Sequence, residues 1–110
     1  MKTISVEELK KKIDAKEDFI LVNVLSKDSF EARHISTSIN IPVDEIENRA
    51  PSELPDKNKE IIVYCASTEC QASPRVAKKL EELGYTNVTD YEAGVAGWQE
   101  ARYELEGSAV

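Results

Sequence analysis

Histidine, cysteine, glycine, proline and tryptophan are all scarce in this chain: its 110 residues include one His, two Cys, four Gly, four Pro and one Trp. So little Gly and Pro excludes a fibrous chain, and 41% hydrophobic against 32% charged residues is the balance of a packed core, not of a disordered segment. His34 is the only imidazole and Cys65 and Cys70 are the only thiols. That leaves at most three of the usual soft ligands, too few for a structural zinc site, and no metal is expected. Basic residues are the minority, 14 Lys and Arg against 21 Asp and Glu, for a net charge of −7. A nucleic-acid binder needs a basic face to displace counterions from phosphate, so no nucleic-acid partner is expected. The one basic run, Lys10 to Lys12, reads as a solvated helix face. Long apolar runs are missing as well, and MKTISVEELKKK contains none of the length a signal peptide or membrane span requires. No membrane partner is expected, and the location this implies is cytoplasmic. Thiols stay reduced there, which makes the two cysteines chemical rather than structural.

At this length the chain reads as one domain, residues 1–110, because chains divide into several cores only at about twice the size. What is present is an alternation of strand and helix signals. Ser5 followed by Glu8 has the spacing of a capping box, and Val6, Leu9 and Ile13 recur at helical intervals, predicting a helix over 6–15. Phe19 to Val22 and Ile61 to Tyr64 are unbroken apolar runs, the pattern of strands covered on both faces. Shorter strands are predicted at 38–41 and 87–91, and helices at 27–33, 43–49, 74–83 and 95–101. In the fourth of the five helices Ser73 is the expected cap, Pro74 stands in the first turn and Gly84 supplies the exit. The pattern is that of an α/β domain with a mainly parallel sheet, whose ligands sit beyond the carboxyl ends of the strands.

Cys65 follows the strongest strand directly and stands at that edge, with residues 66–72 behind it. If the N–H groups of this loop turn inward, they and the positive end of the next helix stabilise a thiolate, the nucleophilic form of cysteine. Cys70, five positions on in the same loop, is the second expected chemical residue. It is placed to resolve a sulfur carried on Cys65 or to receive that sulfur itself. Position 71 is Gln, not the arginine that a phosphatase or arsenate reductase of related design places there to grip an oxyanion.

Three pieces, His34-Ile35 leading to Asn40-Ile41-Pro42, Val63-Tyr64-Cys65, and Gly94-Val95-Ala96-Gly97-Trp98, occur in an order that resembles the rhodanese-like domain family over about residues 3–106. The resemblance implies a three-layer α/β sandwich around a mainly parallel sheet flanked by helices, and a catalytic cysteine, here Cys65, that carries a sulfane sulfur as a persulfide. It implies a small sulfur donor (persulfide, polysulfide or thiosulfate) and a thiol acceptor, a protein thiol among them. No organic cofactor is needed, because the sulfur is held covalently. The anion-binding loop is then Ala66, Ser67, Thr68, Glu69, Gln71, Ala72 and Ser73, with Ser67, Thr68 and Ser73 as hydroxyl donors.

Three places where active members of that family commonly carry a basic residue, a glycine and a second basic residue read Ala66, Thr68 and Cys70, and the loop is about two residues longer. No Lys or Arg lies between Cys65 and Arg75, while Glu69 adds a negative charge. Poor use of thiosulfate is the expectation, as is an alternative function in which Cys65 and Cys70 switch between dithiol and disulfide in a sensing or binding module. Asn23 and His34 are expected to be structural, Trp98 to pack in the core, and Gly94 and Gly97 to serve backbone geometry.

Overall fold

The apolar runs form the middle of a sheet. In the computed structural model, which describes residues 2–110, the elements are β1 (Lys2–Thr3), α1 (Val6–Asp14), β2 (Ile20–Asn23), α2 (Lys27–Ala32), β3 (His34–Ile35), β4 (Ile39–Asn40), α3 (Ile46–Glu53), β5 (Ile61–Tyr64), α4 (Ala72–Glu82), β6 (Val88–Tyr91), α5 (Gly94–Glu100) and β7 (Leu105–Glu106). Five strands make one sheet in the order β1-β6-β5-β2-β4, every neighbouring pair parallel. β3 and β7 pair antiparallel in a separate ribbon. No helix among the described residues is long and apolar enough to cross a membrane.

Alternation along the strands sorts side chains onto two faces. Ile61, Val63 and Cys65 join Ile46 and Ala50 of α3 and Val76, Ala77 and Leu80 of α4 in one apolar cluster. Ile62 and Tyr64 join Leu9 of α1 and Val95 and Trp98 of α5 in the other. The three-layer sandwich implied by the resemblance is therefore the observed architecture. The capping box is present, with the Ser5 hydroxyl accepting from the Glu8 N–H at 3.1 Å and the Glu8 carboxylate accepting from the Ser5 N–H at 3.1 Å.

Where the elements differ from the sequence reading, the reason is length or a turn. The strand expected over 38–41 is only Ile39–Asn40, stopped by Pro42 and lying at the sheet edge. The helix expected over 43–49 is a 3₁₀ turn at Val43–Glu45 followed by α3, which continues past Pro51 to Glu53. β1, β3 and β7 are two residues each, too short for any periodicity to show.

β2 and β5 end level, Asn23 opposite Tyr64, and the chain leaves them in opposite directions, toward β4 from β2 and toward β6 from β5. Such a reversal opens a crevice beyond the carboxyl ends of the two strands. Three buried side chains on this sheet, Asn23, Asp90 and Tyr91, have polar atoms without a hydrogen-bond partner, and Asp90 is the carboxyl among them. Asp90, in β6, is fully buried and neither carboxylate oxygen has a hydrogen-bond partner. Burial pushes its pKa up from the ordinary 3.8; the Ser73 hydroxyl eases this without making a full hydrogen bond, and Glu92 adds repulsion. The folded carboxyl thus binds its proton more tightly than the unfolded one. The resulting stabilisation is whole below the unfolded value and is lost as pH rises through the higher folded value. Asp90→Asn is expected to be more stable than the parent by about 1 kcal/mol at neutral pH, with the advantage shrinking as pH falls toward 3.8, as urea unfolding at several pH values will show.

Candidate active site

Strand alternation puts the Cys65 side chain on the α3/α4 face at the end of β5, where it is 0% exposed. Its thiol lies 3.4 Å from the Ser73 hydroxyl oxygen and 3.7 Å from the Cys70 carbonyl oxygen. The loop folds back to make these contacts through a turn in which the Cys70 N–H donates to the Ser67 carbonyl at 3.1 Å. Its first residues are held from the other side by α5, whose Val95 N–H donates to the Cys65 carbonyl at 3.0 Å and whose Ala96 N–H donates to the Ala66 carbonyl at 2.8 Å. This approach requires glycine at position 94. There φ is +61°, and a Cβ would stand 2.4 Å from the Cys65 carbonyl oxygen.

Ser73 does not cap α4. The helix begins at Ala72 with Gln71 at its cap position and no side-chain cap bond. The Ser73 hydroxyl is buried and turned to Cys65, because a helix that starts two residues earlier rotates it off the cap and onto the sheet-facing side.

The two thiols lie in unlike electrostatic surroundings. Burial is the largest influence on Cys65 and pushes its pKa up from 9.0; its hydrogen bond with Cys70 adds to the rise, against Ser73, which lowers it. Burial also acts to raise Cys70, but there the hydrogen bond from Cys65 and the backbone N–H groups of Ala72, Ala66 and Ser73 outweigh it and hold the pKa below 9.0. The backbone N–H groups of Ala72, Ala66 and Ser73 act to lower the pKa of the half-buried Cys70, and of these Ser73 alone also acts on Cys65.

Of the other loop residues, Ser67, Thr68 and Glu69 line a cavity of about 320 Å³ on one side of the loop together with Glu100. Gln71 is exposed, and Ala72 is half-buried at the start of α4. On the other side, above the crevice between β2 and β5, a cavity of about 340 Å³ is lined by Leu25, Ser29, Arg33, Ala66, Val95 and Gln99 among others. Arg33 carries no signal of this in the sequence, where it is simply a charged residue ending α2. Asp90 left one trace, a carboxylate inside an otherwise uncharged strand. Asn23 is structural, its Oδ1 accepting from the Leu25 N–H at 2.9 Å. His34 is likewise bound into the scaffold, stacked on Phe30 with ring centroids 4.1 Å apart and 3.6 Å from Glu106 of β7. Trp98 is 2% exposed and donates its Nε1–H to the Glu104 carbonyl at 3.1 Å. Gly97 is required by packing, since a Cβ there would lie 2.4 Å from that of Ala93.

The chain is similar to known proteins in sequence and in fold. The family model for the rhodanese-like domain matches residues 5–101. Thiosulfate sulfurtransferase PspE of Escherichia coli is 33% identical over 67 residues, covering 61% of this chain and 62% of that protein. The adenylyltransferase and sulfurtransferase uba4 of Ogataea parapolymorpha is 30% identical over 95 residues, covering 86% of this chain and 23% of that protein. The crystal structure of protein BH2092 from Bacillus halodurans superposes with a TM-score of 0.91 at 28% identity, covering 98% of this chain and 78% of the other. The chain spans only 49%, 62% and 57% of the length of the first curated relatives it matches.

Two outcomes follow from the loop geometry. Thiol alkylation read by peptide mass spectrometry across pH is expected to give a Cys70 midpoint below 9.0 and a Cys65 midpoint above it, with Cys70→Ala moving the Cys65 midpoint downward. Gly94→Ala is expected to cost about 1–2 kcal/mol or more through its left-handed backbone alone, measured by thermal or urea unfolding.

Proposed function

The chain belongs to the rhodanese-like domain family, and from that membership we propose that it is a sulfurtransferase in which Cys65 carries a sulfane sulfur as a persulfide. The observation that carries the reading is the position of Cys65: it ends β5 at the carboxyl edge where the strand order reverses, with its thiol buried against Ser73 and Cys70. The donor is a persulfide, polysulfide or thiosulfate, and the acceptor is a thiol or, in the test tube, cyanide. Cys65 loses its proton and attacks the sulfane sulfur; the donor's S–S bond breaks as the new one forms, and the acceptor thiolate later takes the outer sulfur and regenerates Cys65. Burial of Cys65 keeps the persulfide away from water and stray thiols. The half-buried Cys70 lies over it, and donor access requires the loop to shift. A cytoplasmic setting, where thiols stay reduced, suits this chemistry.

The contact between the two cysteines supports a second reading, a dithiol–disulfide switch in a sensing or binding module. Intact-protein mass spectrometry separates the two. Brief exposure of the reduced protein to a small persulfide is expected to add one sulfur atom, lost in Cys65→Ser and retained in Cys70→Ser. Loss of two hydrogens that requires both cysteines, with no sulfur retained, would overturn the transfer reading in favour of the switch. Transfer from thiosulfate to cyanide is expected to be weak, because the loop offers no cation and holds Glu69; saturation at micromolar thiosulfate would contradict this.

A further inference from the structure

The leading N–H groups of α5, from Val95 and Ala96, are spent on the Cys65 and Ala66 carbonyls, and the loop after Cys65 holds no Lys or Arg, so the charge of an anionic donor must be met elsewhere. Two cavities flank the loop, and their charges differ. The one lined by Ser67 and Thr68 carries two carboxylates, Glu69 and Glu100, and no cation. The one that touches Ala66, the neighbour of Cys65, carries one cation, Arg33, and no carboxylate.

Arg33 is free to serve a ligand. Among the described residues, Lys10, Lys12, Arg49, Lys59 and Lys79 form ion pairs with carboxylates, while Arg33, like eight other Lys and Arg, forms none; what sets Arg33 apart is that it is the charged residue lining this cavity. Its backbone is fixed: the Arg33 N–H donates to the Ser29 carbonyl at 3.1 Å, and the next residue, His34, is clamped by Phe30 and by the β3–β7 pairing. Arg33, exposed at this fixed corner, thus lines the same cavity as Ala66 of the loop. At about 340 Å³ the cavity lies in the range that holds small organic ligands, and thiosulfate, two sulfurs and three oxygens, fills little of it. Leu25, Val95 and Ala66 supply apolar wall for a carbon skeleton.

We propose that the cavity beside Ala66 is the donor subsite and that Arg33 is its specificity-determining residue, selecting organic persulfides that bear a carboxylate. The proposal rests on Cys65 being the sulfur carrier. The carboxylate pairs with the Arg33 guanidinium, a charge-assisted and two-pronged contact, while the persulfide end reaches past Ala66 to Cys65 once the loop has shifted. The step is Cys65–SH + R–S–SH → Cys65–S–SH + R–SH: the Cys65 sulfur bonds to the outer sulfur, the R–S to sulfur bond breaks, and the proton of Cys65 ends on the departing thiol. No oxidant or reductant is consumed.

The test compares two donors of nearly equal size, the persulfides of 3-mercaptopropionate and of 2-mercaptoethanol, by the rate at which the protein gains one sulfur in intact-mass measurements. The carboxylated donor is expected to half-saturate at a concentration about three- to tenfold lower. That ratio is expected to fall to about one in Arg33→Ala, to invert in Arg33→Glu, to persist in Arg33→Lys in weakened form, and to shrink at high salt. Lys11→Ala, which removes the same charge from the exposed face of α1, is expected to leave the ratio as it is. A ratio near one in the parent protein, or one that survives Arg33→Ala, overturns the subsite. Failure of both donors to load Cys65 in the parent protein instead overturns the sulfur-carrier function, and the subsite with it.

Discussion

Two backbone hydrogen bonds, from the Val95 N–H to the Cys65 carbonyl and from the Ala96 N–H to the Ala66 carbonyl, hold the chain in place where it leaves β5. They exist because position 94 has no Cβ and accepts a positive φ, which lets the start of α5 come against the backbone of the loop. The direction of the loop, the burial of Cys65 and the opening of a cavity on either side all follow from that closure. The leading N–H groups of α5 are satisfied by the chain itself and are not left to bind an anion.

The remaining N–H groups of the loop bear unequally on the two sulfurs. Those of Ala66, Ala72 and Ser73 favour the half-buried Cys70, while Cys65, inside the apolar cluster between the sheet and α4, is held as a thiol by its surroundings. A group in a dry site resists ionisation until something compensates, and here the compensating dipoles act mainly on the second cysteine, five positions further on. Asp90 belongs to the same balance. It is a buried carboxyl on the same face of the sheet, and Ser73, which touches Cys65, is its nearest relief. Ser73 therefore stands between two buried acids, which explains why its hydroxyl faces inward when the sequence suggested a helix cap.

Much of the scaffold was legible in the residues. Ile61 to Tyr64 and Ile20 to Val22 announce covered parallel strands because a strand with helices on both faces has no polar side to show. The Ser5 and Glu8 pair marks the start of α1 because capping is a local matter of four residues. The position of Cys65 at the carboxyl edge followed from the strand that precedes it. The two-residue strands were not legible, since pairing across the fold and not any local preference makes them strands. Nor was the extension of α3 through Pro51, which packing of Ile46 and Ala50 against the sheet supports.

For the site the division is sharper. Residue type and spacing determined that two thiols share one loop after a buried strand, that the loop has no cation of its own, and that the chain is an α/β domain; these are properties of neighbours in sequence. Tertiary structure alone decided which thiol the loop amides favour, that Ser73 faces Cys65, that Asp90 lies behind it, and that Arg33, thirty-two positions before Cys65, lines a cavity beside Ala66. The physical reason is common to all four. Burial and electrostatic influence depend on distances between elements far apart in the chain, and a linear pattern carries no measure of those distances until the sheet order brings the elements together.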